Sequence, residues 1–327
     1  MERKPIGIFY EHAEWFEPLF AEFDRRGVPY ERILAHEHRF DPAEREVPYS
    51  LVVNRVSPSA YLRGHTAAIF HAQGYLAYLE GRGVPVVNGT RAQLSEVSKA
   101  RQLANLAALG IPHPRSRVIN ASSQILPAAA ELAFPLIIKP NIGGSGALMR
   151  RFDTPDALRD AVATGELDGI FGLDYTAIVQ EYHPPAGGGI VRVEALDGRF
   201  MYAIRIFSDA ADSFNLCPAD ICQMPDSAPG AVAVPAKKPL RIEVADPPAW
   251  VVDDVLRVFR HSGIDIGGVE YLESERDGQI YLYDVNALSN FVTDAPRLVG
   301  FDPFARFADY LEHRAYANQA VGALALT

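Results

Sequence analysis

Three oxygen-bearing side chains near the end of the chain have the types and spacing needed to bind a divalent cation. Asp284 and Asn286 lie two residues apart in an apolar segment, so on a strand they face the same side. Glu270 lies in the preceding strand-like segment, and Asp277-Gly278 marks a turn between the two. On one face between apolar neighbours, unpaired carboxylates would be costly unless a cation compensated for their charge. The alternative is a hairpin with a solvated polar face.

The length of this turn decides whether Glu270 joins the other two ligands. A two-residue loop would pair Glu270 with Val285, whereas a three-residue loop over residues 276–278 pairs Glu270 with Asp284. The second arrangement requires Gly278 in the left-handed conformation as part of a bulge. We therefore predict the bulged turn.

A lysine and a glycine-rich loop form a second candidate site. Lys139 ends an apolar strand-like segment, and the loop Gly143-Gly144-Ser145-Gly146 follows it. Backbone N–H groups of such a loop can contact phosphate oxygens, to which Ser145 adds a hydroxyl and Lys139 a charge. The loop lacks the spacing of a Walker motif, and a glycine-rich hairpin with an incidental lysine explains it about as well.

Two strand ends carry further polar groups. The segment Ile178-Val-Gln180-Glu181-Tyr182 ends in a polar turn whose backbone can pair with an adenine edge. Arg55 also lies at a strand end, where a guanidinium can hold a carboxylate. No Ser-His-Asp or Cys-His arrangement is evident.

The elements that must position these groups alternate between strand and helix in the first part of the chain. Strands are predicted near residues 5–10, 28–34, 50–55 and 84–87, with a long helix over about 59–79. This pattern predicts a mostly parallel sheet in a small Rossmann-like domain over residues 1–94. A compact α+β unit follows, and β signals dominate beyond residue 177.

Composition limits the partners. The chain has 327 residues, a net charge of −10 and no basic stripe, which argues against nucleic acid. The N-terminus enters a strand without a signal peptide, and no segment has the apolar length of a membrane span, so we expect a cytoplasmic protein without a membrane partner. The two cysteines, Cys217 and Cys222, are expected to be reduced.

The order of these features resembles the ATP-grasp superfamily, most closely its RimK-like and glutathione-synthetase-like branch. The resemblance spans most of the chain and rests on an ordered set: Asn54-Arg55-Val-Ser-Pro-Ser, a helix lysine (Lys99), Lys139, the glycine loop, Gln180-Glu181-Tyr182, Arg192 and Arg205, and the hairpin ending in Asp284-Val-Asn286. It implies α/β and α+β architecture, with a Rossmann-like N-terminal domain followed by a two-subdomain ATP-grasp fold. The implied divisions are residues 1–94, a central lid over 95–176, and a C-terminal subdomain with the metal hairpin over 177–327.

The resemblance also implies roles for individual residues. The ATP contacts would be Lys99, Lys139, Gly143, Gly144, Ser145, Gly146, Gln180, Glu181 and Tyr182. The metal ligands would be Glu270, Asp284 and Asn286, holding two Mg²⁺ ions with Mn²⁺ as a substitute. Arg205 and Lys139 would be catalytic, with Arg205 facing the transferred phosphate and the acyl group. Substrate contacts would come from Arg55, Arg192, Asn215 and Asn290.

The activity that the resemblance implies is ATP-dependent ligation of a carboxylate to an amine through an acyl phosphate. The substrates would be small molecules or peptides, and a homo-oligomer stays open. A small-molecule kinase and a non-catalytic ATP-binding regulatory protein are the alternatives. Three positions depart from the family pattern. Asp284 replaces a glutamate, Ile190 stands where an acidic residue often contacts ribose, and Ala287 to Phe291 replaces a Pro-Gly segment.

Overall fold

Three β-sheets form the frame of the part of the protein that the structure describes. The computed structural model describes residues 3–144, 146–208, 214, 216–219 and 240–324. The first sheet is entirely parallel, in the order β2-β1-β3-β4, which confirms the parallel sheet predicted from the alternating pattern. Its strands are β1 Ile6–Tyr10, β2 Tyr30–Leu34, β3 Leu51–Arg55 and β4 Val86–Val87.

The helices of this N-terminal part end at glycines. Helix α1 (Glu17–Arg26) stops at Gly27, whose φ of 67° is left-handed. The long helix predicted over residues 59–79 is instead two elements, a 3₁₀ helix at Pro58–Arg63 and α2 at Thr66–Gly81. Gly64, with a φ of 81°, separates them because its left-handed backbone cannot continue a helix.

The second sheet is antiparallel, in the order β5-β8-β6-β7, with helices α5 and α6 against it. The bounds are β5 Ser116–Ile119, β6 Leu136–Pro140, β7 Arg150–Phe152, β8 Ala177–Glu181, α5 Ile125–Ala129 and α6 Pro155–Ala163. Strand β8 pairs with both β5 and β6, so a boundary at residue 177 cuts this sheet. We propose that the central subdomain extends through β8.

The third sheet is also antiparallel and has the order β11-β10-β9-β12-β13. Its strands are β9 Gly189–Leu196, β10 Arg199–Ser208, β11 Leu240–Val244, β12 Ile266–Glu273 and β13 Ile280–Asn286. The remaining helices are α3 Thr90–Glu96, α4 Lys99–Ala108, α7 Ala249–Ser262, α8 Ala295–Val299 and α9 Pro303–Leu324.

Apolar packing joins the two ends of the chain. One buried cluster combines Phe16, Phe20 and Phe23 of the N-terminal part with Phe291 and Phe307 from beyond the third sheet. A second cluster packs α7 against the opposite face of the third sheet, and a third fills the second sheet. Within the described residues, no helix is both long enough and apolar enough to cross a membrane.

Candidate functional site

A cavity of about 410 Å³ lies between the second and third sheets and reaches the N-terminal part. Both candidate lysines, the three candidate metal ligands, and residues 180–182 line it, as do Gly143, Gly144 and Gly146 of the glycine loop. Trp15, Ser57 and Ser59 line it from the N-terminal part. Residues that are far apart in sequence therefore converge on one space.

The hairpin of β12 and β13 places Glu270 directly opposite Asp284, as predicted. The predicted cause is wrong in part. Gly278 does have a positive φ of 69°, but Ser274 accepts a hydrogen bond from Gly278 and donates to Gln279, leaving a four-residue loop over residues 275–278. A turn of that length alone would set Glu270 opposite Tyr283.

A bulge within β13 corrects the register. Leu282 pairs with Tyr271, yet Asp284 pairs with the preceding residue Glu270, so Tyr283 is the extra residue. The bulge brings Asp284 and Asn286 onto the face that carries Glu270, and it leaves Tyr283 on the cavity wall as well. One inserted residue in the strand thus assembles the candidate ligand set.

Glu270 is buried and fully hydrogen-bonded. Its Oε1 accepts from Arg192 Nη1 at 3.1 Å and its Oε2 accepts from the Tyr283 hydroxyl at 2.9 Å. Burial, reinforced by the charge of Asp284, raises the pKa of Glu270, although Arg192 opposes that rise. Arg192 therefore supplies part of the charge compensation that the sequence had suggested only a metal would provide.

Asp284 lies between Lys99 and Asn286. Its Oδ1 is 3.5 Å from Lys99 Nζ, and its Oδ2 accepts from Asn286 Nδ2 at 3.0 Å. Burial favours the neutral acid, but the Lys99 and Lys139 charges outweigh it and lower the pKa of Asp284. Asn286 donates with its amide nitrogen, which leaves its Oδ1 available as a metal ligand.

Lys139 is 3% exposed, and its ammonium donates to Gln180 Oε1 at 2.9 Å. Burial, followed by repulsion from Lys99, lowers the pKa of Lys139 to about 8. Lys99 Nζ lies 3.5 Å from the Gly143 carbonyl oxygen and from Asp284. The two lysines and the acidic pair thus share one electrostatic site.

The glycine loop passes between two other segments. A Cβ on Gly144 would lie 3.0 Å from Ser59 Cβ, and one on Gly146 would lie 2.6 Å from the Phe214 carbonyl carbon. Gly146 also has a φ of 67°. These contacts leave no room for side chains at either position. Ser145 lies outside the described residues.

Residues 180–182 line the cavity, but the side chains of Gln180 and Glu181 and the backbone N–H of Tyr182 already have partners. Gln180 Nε2 donates to the Ser116 hydroxyl at 2.9 Å, and Glu181 Oε1 accepts from Ala133 N at 2.9 Å. Tyr182 N donates to the Pro135 carbonyl at 2.8 Å. The side chains of Gln180 and Glu181 therefore brace the second sheet.

The two arginines lie on opposite faces of the third sheet. Arg192 pairs with Ile204 and lines the cavity, whereas Arg205 pairs with Val191, one residue out of phase. The side chain of Arg205 consequently points toward Tyr271 on the face that packs against α7. The expectation that Arg205 faces the transferred phosphate is wrong, because strand alternation sends it to the other side.

Arg55 is completely buried rather than open to the cavity. Its guanidinium lies over the rings of Phe16 and Phe307, at 5.0 and 5.6 Å, and donates to the Ser289 carbonyl oxygen. Burial lowers the pKa of Arg55 to about 10. In this structure Arg55 therefore holds the segment after β13 and does not reach the cavity.

The remaining predicted residues have mixed outcomes. Asn290 lines the cavity, and Asn215 lies outside the described residues. Cys217 lines the cavity. Cys222 lies outside the described residues.

Sequence reasoning missed Glu96 and Tyr283. Glu96 lies three residues before Lys99 at the end of α3, and Tyr283 adjoins Asp284 in β13. Neither has a motif spacing that marks it, although proximity to two predicted ligands was a usable signal. No group of three or more His, Cys, Asp or Glu side chains within the described ranges is arranged to hold a metal, so the candidate set depends on the Asn286 amide.

Comparisons with curated proteins point to one group of enzymes. The chain is 34% identical over 122 residues to the D-alanine–D-alanine ligase of Ectopseudomonas mendocina, covering 34% of this chain and 39% of that protein. It is 27% identical over 200 residues to the D-alanine–D-alanine ligase of Nitrosomonas europaea, covering 58% of this chain and 63% of that protein. The matches thus span less than two thirds of either relative. No family model matches the sequence.

Solved structures match over nearly the whole chain. The ATP-grasp ligase PsnB, complexed with a phosphomimetic variant of its minimal precursor, Mg and ADP, has a TM-score of 0.68 at 20% identity, covering 96% of this chain and 100% of that one. A RimK domain ATP-grasp protein from Sphaerobacter thermophilus has a TM-score of 0.65 at 17% identity, covering 94% and 98%.

The D-alanine–D-alanine ligase of Bacillus anthracis, complexed with ATP, has a TM-score of 0.64 at 16% identity, covering 98% of this chain and 99% of that one. All three neighbours are similar to this chain in the arrangement of their elements. The chain therefore has the ATP-grasp fold, as the resemblance of its motifs implied. Identities this low establish the fold alone.

Proposed function

We propose that this protein is an ATP-dependent carboxylate–amine ligase that forms an amide or peptide bond and releases ADP and phosphate. The observation that carries the proposal is the β12–β13 register, which sets Glu270 opposite Asp284 and Asn286 on the same face, beside both lysines in one cavity. The ligase names of the curated relatives and structural neighbours agree with this reading.

The nucleotide would lie between the second and third sheets. Lys139 and Lys99 supply positive charge for the phosphates, and the glycine loop supplies backbone N–H groups. Residues 180–182 border the adenine, which pairs with groups of this segment other than Glu181 N and Tyr182 N, because those two donate to the Arg115 and Pro135 carbonyl oxygens. ATP is thereby a substrate bound by groups from both sheets.

The candidate ligand set fits Mg²⁺ because all three donors are oxygens on one face. Glu270 and Asp284 contribute carboxylates, and Asn286 contributes an amide oxygen that has no partner among the described side chains. When bound, two Mg²⁺ ions, or Mn²⁺ in their place, neutralise charge on the phosphate oxygens. Arg192 and Lys99 already balance part of the carboxylate charge, so the donor type rather than uncompensated charge supports this assignment.

The proposed reaction has two transfers. A substrate carboxylate oxygen attacks the γ-phosphorus, the bond to ADP breaks, and an acyl phosphate forms. The neutral amine nitrogen then attacks the carbonyl carbon, the carbon–oxygen bond to phosphate breaks, the nitrogen gives its proton to the departing phosphate, and the amide remains. Lys139 and Lys99 stabilise the charge on the phosphates, and Arg192, rather than Arg205, is the guanidinium at the cavity wall that can stabilise the oxyanion.

Two other functions would use the same cavity. A small-molecule kinase would transfer the phosphate to a hydroxyl group, and a regulatory protein would bind ATP without turnover. Neither explains the similarity to ligases in both comparisons.

The test is to incubate the protein with ATP, Mg²⁺ and pools of amino acids and short peptides, including D-alanine, with and without hydroxylamine. We expect ADP release and a hydroxamate, because hydroxylamine captures an acyl phosphate. A stable phosphorylated alcohol would support the kinase. Tight ATP binding with no ADP from any pool would support the regulatory protein.

The metal assignment makes a separate prediction. Asp284→Asn should lower ADP release on the order of 100-fold or more, because it removes one carboxylate from the ligand set. Asp277→Asn on the exposed turn of the same hairpin is the matched control and should retain activity. Undiminished turnover by the Asp284 variant would refute the assignment of Asp284 as a metal ligand.

A further inference from the structure

Glu96 is a carboxylate on the cavity wall that has no role in the proposed reaction. It is the last residue of α3, is 8% exposed, and lines the cavity with Lys99 and Asp284. Its Oε2 accepts a hydrogen bond from the backbone N–H of Ala287. Its Oε1 has no hydrogen bond from any residue in the described parts of the chain.

Arg55, Lys99 and Arg192 lie near Glu96, but within the described residues none of them is hydrogen-bonded to it. Arg55 donates to the Ser289 carbonyl oxygen. Lys99 pairs with Asp284, and Arg192 donates to Glu194 and Glu270 at 2.6 and 3.1 Å. Burial raises the pKa of Glu96 to about 7, and Asp284 adds to that rise. Glu96 Oε1 is absent from the fully buried polar atoms that have no partner, so it is open to the cavity. A donor group of a bound molecule can therefore reach it.

Three kinds of cation could bind Glu96 Oε1: a guanidinium, a divalent metal ion and an ammonium group. A guanidinium pairs best through both carboxylate oxygens, but Oε2 is already bound to Ala287. A divalent cation needs several oxygen ligands, and Glu96 offers one free oxygen. An ammonium group is a compact charge that a single oxygen can bind, and it fits both limits.

We propose that Glu96 binds the ammonium group of a substrate and so selects substrates that carry one. This inference rests on the ligase function proposed above. The group is either the amine that becomes the nucleophile or the amino group of the molecule whose carboxylate is activated. Both are primary ammonium ions, and kinetics can separate them.

Glu96→Gln is the informative variant, since its amide oxygen can still accept from Ala287 N while the negative charge is lost. We expect the KM of the ammonium-bearing substrate to rise about tenfold or more, because a charge-assisted hydrogen bond is lost, and the KM of ATP to stay unchanged. Varying the amine and the carboxylate substrate separately identifies which one Glu96 binds. Glu96→Asp keeps the charge and should restore part of the loss.

Glu273→Gln, an exposed change on β12, is the matched control. If Glu96→Gln leaves the KM of both substrates unchanged, the inference is overturned. A purely structural role would instead lower kcat and stability without a selective rise in one KM.

A binding experiment tests this inference independently of the ligase proposal. Thermal stability is measured with Mg·ADP and either D-alanine, glycylglycine or putrescine, with D-lactate as the analogue lacking the ammonium group. Stabilisation of the wild type by an ammonium compound, lost in Glu96→Gln, supports the site even if no ligation is found. Absence of stabilisation of the wild type by all three, or equal stabilisation of both proteins, overturns it.

Discussion

At the scale of single residues, the site depends on charges held in an environment that disfavours them. Lys139 is almost fully buried, and its only hydrogen-bond partner among the described residues is the neutral Gln180 side chain. A protonated lysine in this position gains most when an anion arrives, because the anion supplies the missing compensation. The charge of Lys139 is therefore better compensated when a phosphate is bound than in the free protein.

This environment predicts a pH dependence of ATP binding. The folded pKa of Lys139 is lowered to about 8, so the protonated form that attracts phosphate is lost as pH rises through that value. The Kd for ATP should increase by up to about tenfold per pH unit above 8, as measured by titration calorimetry. Stability changes in the opposite sense. Between about 8 and 10.5 the unfolded chain binds more protons, so this residue favours folding as pH rises.

Lys139→Arg is the control for this prediction, because an arginine stays charged across the whole range. Its pH profile should be flatter than that of the wild type above pH 8. An identical slope in both proteins would show that Lys139 is not the titrating group.

At the scale of elements, Lys99 is placed against local preference. It is the first residue of α4, where the helix dipole disfavours a cation. Ser98 caps the helix by accepting from Arg101 N at 3.2 Å, and its hydroxyl donates to Asn141 Oδ1, beside the glycine loop. Asn141 also accepts from Ala100 N at 2.8 Å. The cap therefore links the start of α4, where Lys99 lies, to Asn141, which directly follows the strand that carries Lys139.

This arrangement predicts that Ser98→Ala affects both stability and ATP binding. Loss of the cap should lower the free energy of unfolding by about 1 kcal/mol and weaken ATP binding several-fold. Thr154→Ala removes an equivalent cap from α6, where Thr154 Oγ1 accepts from Ala157 N at 3.2 Å. That control should lose similar stability in urea denaturation yet bind ATP normally. If Ser98→Ala and Thr154→Ala change ATP binding equally, the Ser98 cap does not act on ATP binding through the position of Lys99.

The glycine loop makes a second prediction for an element. Gly146 and Gly27 both have a φ of 67°, but a Cβ meets Phe214 only at Gly146, and nothing lies within 4 Å at Gly27. Gly27→Ala should therefore cost about 1 kcal/mol from backbone strain alone. Gly146→Ala should add a steric clash that displaces the loop and raises the Kd for ATP. If both variants bind ATP like the wild type, the loop does not contact the nucleotide.

At the scale of the whole molecule, Asn88 connects the N-terminal part to the third sheet. It follows β4 with a φ of 54°, and its Nδ2 donates to Ile266 O at 2.8 Å and also to Ala287 O. Its Oδ1 accepts from Asp265 N at 2.8 Å and from Ile266 N at 3.2 Å. One buried amide thus holds the start of β12 and the segment just after β13.

Asn88→Ala should lower the free energy of unfolding by roughly 2 to 4 kcal/mol, because it leaves several buried backbone groups without partners. Asn105→Ala is the control, since within the described part of the chain Asn105 makes one side-chain hydrogen bond, to Ser262 at 3.1 Å. It should cost about 1 kcal/mol or less. Urea denaturation of both variants measures the difference, and a similar small loss in each would show that Asn88 is not a major link.

The local sequence predicts many of the structural features of this protein. Alternating apolar segments predicted the parallel sheet, helix-capping residues marked α4 and α6, and the spacing of Asp284 and Asn286 placed two ligands on one side. These features depend on residues near each other in the chain, so their physical causes are visible in the sequence. The ordered motifs also indicate the ATP-grasp fold.

Tertiary structure decided which side chains meet. The bulge at Tyr283, not the turn, sets Glu270 opposite Asp284, and strand phase sends Arg205 away from the cavity while Arg192 enters it. Tertiary packing buries Arg55 against the Ser289 carbonyl oxygen and places Glu96 on the cavity wall. Each outcome depends on pairing between strands or on packing between distant segments. The local sequence does not specify either one, because a shift of one residue in register reverses the face of every side chain that follows.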